Sequence, residues 1–260
     1  MATLQLETVD VEIEGRVGRV ILNRPDVLNC ANVAWVRDLN AALEAVAKDD
    51  SVRVVTVTGR GRAFSTGIDL TALANGELKR EWFVDWEKAM SWCEEMEKPV
   101  LCGIHGYCLG GGLQLALACD IRVCATDAVM GLTAIKECLI PALGVWRLPR
   151  YIGLGRAKRL IMTGENIGAA EAHAIGLVDF VVEPDQLQAK LDELCEKFKR
   201  VAPTSFKHCK RLTNRAFDMD HDTVLADFIE SEVDCMNSPE NVEAAAAWRE
   251  RREPDFSRFT

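Results

Sequence analysis

Chemistry in this chain concentrates in two short segments. One runs Arg62-Ala63-Phe64-Ser65-Thr66-Gly67-Ile68-Asp69-Leu70; the other runs Gly106-Tyr107-Cys108-Leu109-Gly110-Gly111-Gly112-Leu113-Gln114. Each follows an apolar, β-branched run, and the second also opens a helical one. Consecutive glycines cost about 1 kcal/mol each in a helix relative to alanine. At a strand-to-helix turn they leave amide N–H groups unpaired and unshielded by side chains, and the helix dipole adds positive potential. Such a turn can hold a ligand oxygen that gains negative charge. The same glycines also suit close packing of helix on strand, and spacing alone does not choose between the two uses.

Other chemistries lack their residues. No Gly-Lys-Ser/Thr follows the glycines, and neither G-x-G-x-x-G nor the G-x-S-x-G nucleophile elbow occurs. The 10 cysteines never take C-x-x-C spacing. Cys102, Cys119 and Cys124 lie in apolar runs, where a thiol acts as a small hydrophobe. Reduced thiols are therefore expected, not a zinc site or a disulfide framework. His105, before Gly106 at the end of an apolar run, reads as structural. His173, His208 and His221 have no metal-ligand spacing, so no metal is expected.

The elements that must hold these segments alternate strand and helix. Residues 17–23 read as a strand that stops at Arg24-Pro25. Val33, Val36, Leu39, Leu43 and Val46 recur at helical spacing through residues 32–47. A strand over 52–59, a loop over 59–67 and a helix over 78–97 follow, the helix carrying Trp82, Phe83, Trp86, Met90 and Trp92. Next come a strand over 100–106, a helix over 110–119 and a strand over 120–125. Beyond Pro141 the pattern predicts a helix over 145–162, a short helix from Ala169, a strand over 177–182 and a helix over 186–200. Pro203 opens two or three further helices. This order predicts an α/β class with right-handed crossovers and a mostly parallel sheet. It divides the chain into a β/α core over 1–202 and a helical region over 203–260, with no internal sequence repeat.

Composition limits the partners. The 260 residues, 48% hydrophobic and 27% charged, are globular in character and can bury a large core. A net charge of −9 argues against nucleic acid and anionic membrane surfaces, because phosphate contacts need clustered cations. No apolar run of about 18 residues is present. The N-terminal MATLQLETVDVEIEG lacks the basic and apolar parts of a signal peptide. With the cysteine usage, this predicts a cytoplasmic location.

In order and spacing, several motifs resemble those of the crotonase (enoyl-CoA hydratase/isomerase) superfamily over nearly the whole chain. They are Asn23-Arg24-Pro25 with Leu28-Asn29; Ala63-Phe64-Ser65 with Gly67, Asp69 and Leu70; Gly106 and Leu109-Gly110-Gly111-Gly112 through Ala118-Cys119-Asp120; and Gly164 with Ala174-Ile175-Gly176-Leu177-Val178. The C-terminal Arg249 to Phe256 also resembles the family's tail. The resemblance implies a crotonase-like ββα-superhelix core with a C-terminal helical subdomain. It also implies an acyl-CoA thioester substrate carried by coenzyme A, no tightly bound cofactor, and a homotrimer or hexamer assembled partly through the C-terminal helices. By motif position, the amides of Ile68 and Gly111 form an oxyanion hole. Val27, Leu28, Ser65 and Ile68 become candidate CoA contacts, and Gly67, Gly110, Ala134 and Trp86 complete the expected substrate contacts.

The chain departs from the family at the acids. Family hydratases carry a glutamate three residues after the middle glycine of the triplet, where this chain has Gln114. They carry another seven residues before the proline of Leu139-Ile140-Pro141, where this chain has Ala134. An amide orients water but does not take up its proton. Glu137 is the candidate replacement base. In a helical turn it shares a face with Ala134, and in a strand it turns away; a turn at Lys136–Cys138 is expected. The competing role for Glu137 is a brace to Lys136, Arg147 or Arg150. Asp69, Asp85 and Glu87 are further acids, with loop-ordering or surface roles as the plainer reading. Trp82, Phe83, Trp86, Trp92 and Trp146 fit either core packing or a pocket for a flat acyl group.

Three functions remain open. One is an acyl-CoA enzyme with altered chemistry: isomerase, hydrolase, decarboxylase or a hydratase with a relocated base. The others are an ordinary enoyl-CoA hydratase with weak activity and a non-catalytic acyl-CoA-binding protein.

Overall fold

The computed structural model describes residues 2–259. Its first strands, β1 (Ala2–Gln5), β2 (Val9–Glu14) and β3 (Val17–Leu22), pair antiparallel. Gly15 and Arg16 join β2 to β3 at φ 55° and 68°, the left-handed backbone that lets a two-residue hairpin follow the strands' twist. The chain then runs through α1 (Val33–Lys48), β4 (Val54–Gly59), β5 (Ala63–Ser65), α2 (Leu70–Ala74), α3 (Arg80–Glu95), β6 (Val100–Ile104) and β7 (Tyr107–Leu109). It continues through α4 (Gly111–Ala118), β8 (Ile121–Ala125), β9 (Val129–Gly131), α5 (Gly144–Ile152), α6 (Leu154–Thr163) and β10 (Ile167–Gly168). α7 (Ala169–Ala174), β11 (Phe180–Val182) and α8 (Leu187–Lys199) complete the core. α9 (Pro203–Asn214), α10 (His221–Asn237) and α11 (Pro239–Glu250) close the chain.

Two sheets result. The larger has order β1-β2-β3-β4-β6-β8-β11 and is parallel from β3 onward. The smaller has order β10-β9-β7-β5, with only the β9–β10 pair antiparallel. β4, β6 and β8 each step from the larger sheet into β5, β7 and β9 of the smaller one before a helix returns. This strand–strand–helix repeat is the ββα superhelix. The sequence shows no repeat because the units share geometry and not residues.

The helices lie where their apolar stripes require. α1 starts at Asn32, whose side chain accepts from the Trp35 amide at 2.9 Å. It buries Trp35, Val36, Leu39, Leu43 and Val46 in the main core. α8 covers the other face of the larger sheet through Leu187, Leu191, Leu194 and Cys195, against Val17, Val54, Leu101 and Val123. α9 is tied to the core by the buried Lys210. Its ammonium donates to the Cys93 carbonyl at 2.7 Å, the Lys98 carbonyl at 3.1 Å and the Asp120 carboxylate at 2.8 Å.

The expected elements need four corrections. The loop over 59–67 contains β5, and the strand expected over 100–106 ends at Ile104 before β7 begins. Three-residue strands are too short for an alternating pattern to stand out. The helix expected over 145–162 breaks at Gly153, whose φ of 78° no helix accommodates. The strand expected over 177–182 pairs only over Phe180–Val182. Among the described residues no helix is long and apolar enough to cross a membrane.

Candidate active site

β5 and β7 are parallel neighbours, so the segments that leave them run side by side. The first turns at Gly67, φ 85°, and the second at Gly110, φ 51°. A Cβ on Gly67 would stand 2.5 Å from the Gly111 nitrogen and 2.7 Å from the Leu109 carbonyl oxygen. Only glycine lets these loops meet. A Cβ on Gly111 would stand 2.5 Å from the Trp86 ring, and one on Gly112 would strike the Ser65 carbonyl. The triplet thus combines a left-handed turn at Gly110 with close packing at Gly111 and Gly112.

The meeting leaves donors free. Gly111 is the first residue of α4, and its N–H has no partner within the helix. Ile68 is held through its neighbours: the Ala31 amide donates to the Gly67 carbonyl at 2.7 Å, and the Asp69 amide donates to the Ala31 carbonyl at 2.9 Å. Among the described residues, neither the Ile68 nor the Gly111 amide donates to a protein acceptor.

Both residues line a cavity of about 470 Å³, together with Val27, Trp86, Gly110, Gln114, Ala134 and Glu137. Leu28, Ser65 and Gly67, expected as CoA or substrate contacts chiefly through their backbone, do not line this cavity. The Ser65 hydroxyl is fully buried, donates to the Asn29 carbonyl at 2.9 Å and accepts from the Gly67 amide at 3.2 Å. The Leu28 carbonyl accepts from the Thr66 amide at 3.1 Å. These bonds set the loop's shape. Leu139, Ile140 and Thr133 also line the cavity. Nothing in their spacing marks them as contacts, because Leu139-Ile140-Pro141 reads only as a register signal.

Glu137 ends a 3₁₀ turn over Thr133–Glu137, and Cys138 follows at φ 58°. With about three residues per turn, residues 134 and 137 share a face, and both reach the cavity. Among the described residues Glu137 has no hydrogen-bond or ion-pair partner. The arginines considered as its braces are engaged elsewhere: Arg147 with Glu87 at 2.9 Å and Glu94 at 2.7 Å, and Arg150 with Asp218. Glu87 also accepts from the Leu143 amide at 3.1 Å, so it ties α3 to α5. Asp85 is exposed, outside the cavity wall.

Asp69 also lines the cavity, but its carboxylate is committed. It accepts from the Thr71 and Ala72 amides at the start of α2 and pairs with Arg24 at 3.1 Å. Partial burial pushes its pKa up. The Ala72 amide, the Cys30 thiol, Arg24 and the Thr71 amide outweigh this and hold it below the ordinary value. Burial, then the Asp69 charge, pushes the neighbouring Cys30 thiol up to about 11, so it stays protonated. Among the described residues no lysine, arginine or histidine lines the cavity. Among the described residues no cluster of three or more His, Cys, Asp or Glu side chains forms a metal site. His105 is not in the cavity wall, and its Nε2 stands 3.0 Å from the Gly61 carbonyl.

The aromatic wall is a stack. Trp86 lies between Trp35 and Trp82, with ring centroids 5.5 and 5.3 Å away. Phe83 meets Trp82 edge-on at 5.0 Å. Trp82 donates to the Asn32 carbonyl at 3.2 Å, and Trp86 donates to Gln114 Oε1 at 3.2 Å. Trp92 and Trp146, also considered for this pocket, lie outside its wall.

A ββα superhelix with an apolar cavity where its glycine-bearing loops meet is the architecture of the crotonase superfamily. Residues 12–258 match the model of the enoyl-CoA hydratase/isomerase family, and the chain belongs to that family. It is 34% identical to the short-chain-enoyl-CoA hydratase of Clostridium acetobutylicum, over 96% of this chain and 97% of the relative. It is 30% identical to the crotonyl-CoA hydratase of Syntrophomonas wolfei, over 96% of this chain and 98% of the relative. Among solved structures it resembles an enoyl-CoA hydratase from Bacillus anthracis, with a TM-score of 0.91 and 34% identity over 96% of this chain and 99% of that one.

Proposed function

We propose that this crotonase-family enzyme binds acyl-CoA thioesters and moves a proton on the acyl chain with Glu137 as its base. The observation that carries the reading is the unpartnered Glu137 carboxylate in the wall that also holds the free Ile68 and Gly111 amides. A thioester carbonyl between these amides gains charge as an enolate forms. Preorganised donors of this kind stabilise such charge by about 3 kcal/mol each. Gln114 cannot take up the proton and Ala134 has no group to transfer it, which leaves Glu137.

A single carboxylate suits double-bond isomerisation, because one base removes a proton at one carbon and returns it at another. Hydration with Glu137 as a relocated base is the second reading, favoured by the named activities of the relatives above. Decarboxylation is disfavoured: a substrate carboxylate would enter a cavity with no cation in its wall and Glu137 in place. Parallel assays of crotonyl-CoA hydration and 3-enoyl-CoA isomerisation separate the two favoured readings. Glu137→Gln keeps size and removes the base, so kcat of whichever reaction runs falls by about 10² or more with acyl-CoA affinity retained. An unchanged rate assigns the proton to another group. The absence of any melting shift across acyl-CoA esters overturns thioester binding altogether.

A further inference from the structure

An indole N–H donates and never accepts. The 3.2 Å contact between Trp86 Nε1 and Gln114 therefore fixes which end of the amide faces the ring: it is Oε1. Gln114 is only 5% exposed and lines the cavity, and among the described residues its Nε2 has no acceptor. Its stem is confined as well. A Cβ on Gly144 of α5 would stand 3.3 Å from Gln114 Cγ, so the glycine there leaves just the room the side chain occupies. Trp86 is itself clamped between Trp35 and Trp82. The amide cannot turn over without stranding the Trp86 N–H.

We infer that Trp86 is a positioning residue that holds Gln114 as a fixed hydrogen-bond donor, and that this donor selects acyl groups carrying a neutral oxygen near the thioester. The inference deepens the proposed acyl-CoA reading and rests on it. Gln114 follows Gly111 by one turn of α4, about 5 Å along the helix face. A thioester oxygen at the Gly111 amide then brings an oxygen on the acyl β-carbon within reach of Nε2. The cavity wall decides the charge of that oxygen. It contains Glu137 and no basic residue, so a carbonyl or hydroxyl fits and a carboxylate is repelled. A hydrocarbon chain shuts Nε2 off from solvent and offers it no acceptor, which costs affinity.

Calorimetric titration with 3-oxobutyryl-CoA, butyryl-CoA and succinyl-CoA tests this, since the first two differ chiefly in the β-oxygen. The unaltered protein is expected to bind 3-oxobutyryl-CoA about tenfold more tightly than butyryl-CoA, and succinyl-CoA most weakly. In Gln114→Leu the ratio of the first two affinities falls to about one, and in Gln114→Glu it falls below one, because a carboxylate repels the keto oxygen. Trp86→Phe lowers the ratio with Gln114 still present, since the amide is then free to turn. Equal affinities in the unaltered protein overturn the inference and leave acyl-CoA binding standing. A preference that survives Gln114→Leu also overturns it. Failure of all three esters to bind removes the acyl-CoA reading and the inference with it.

Discussion

At the scale of single residues, the site is defined by what two positions lack. Gln114 and Ala134 both face the cavity, and neither can exchange a proton. Restoring acids there is therefore a direct test of the scaffold. Gln114→Glu combined with Ala134→Glu should raise crotonyl-CoA hydration by about 10² or more over the unaltered protein, followed by the loss of enoyl absorbance. The Trp86 N–H, 3.2 Å from the present amide oxygen, would hold the new carboxylate in place. If the double variant binds crotonyl-CoA and hydration does not rise, the cavity does not present these positions to the acyl carbons.

At the scale of elements, the cavity depends on how α3, α4 and α5 are clamped. Arg147 of α5 is buried and donates to Glu94 at 2.7 and 2.9 Å and to Glu87 at 2.9 Å, both on α3. Burial works against its charge, but the two glutamates outweigh this and hold it protonated. Arg147→Met removes the clamp and leaves two carboxylates about a quarter exposed. Water reaches them, so the expected destabilisation is about 2–3 kcal/mol, below the 3–5 typical of fully buried pairs. Chemical denaturation measures it. A change below about 0.5 kcal/mol would mean that packing alone sets the angle between α3 and α5.

At the scale of the whole molecule, the C-terminal tail folds back onto α11, and α10 presents an open face. Glu243 of α11 accepts from Arg252 at 2.5 Å, from the Asp255 amide at 2.9 Å and from Arg258 at 2.7 Å. Hydrogen bonds from Arg252 and the Asp255 amide hold its carboxyl down to about 2, from an ordinary 4.5. A carboxyl depressed in the folded state stabilises fully above its unfolded pKa and loses this as pH falls through its folded one. The tail should therefore loosen between about pH 4.5 and 2. Melting curves against pH should show Glu243→Gln destabilised at neutral pH and converging on the unaltered protein at the acid end of that window. Parallel curves would show that the pairing contributes nothing.

The open face lies on α10, where Leu225, Phe228, Ile229, Val233 and Met236 are all 44–62% exposed. Spacings of three and four residues put them on one side of the helix. We propose that a homotrimer, or a pair of trimers, covers this face. Leu225→Glu with Ile229→Glu should lower the mass seen by light scattering to that of one chain. An unaltered protein already at 28.8 kDa in solution would refute the assembly.

The long elements were legible in the residues themselves. Apolar spacing through 32–47 and the β-branched run over 17–23 follow local periodicity, and the structure has α1 and β3 there. The glycine triplet likewise announced a turn with special backbone needs. Other features come from contacts between residues far apart in the chain. The three-residue strands β5 and β7 exist because they pair with each other. The Ser65 hydroxyl braces the loop from within, since the Asn29 carbonyl and the Gly67 amide claim it. Whether Glu137 faced the cavity depended on a 3₁₀ turn too short to leave a periodic signal. That Gln114 presents its nitrogen and not its oxygen was decided by Trp86, 28 residues earlier on another helix. Periodicity specifies which face of an element is apolar; which partner meets that face, and which end of a buried amide stays free, is set only when distant segments pack.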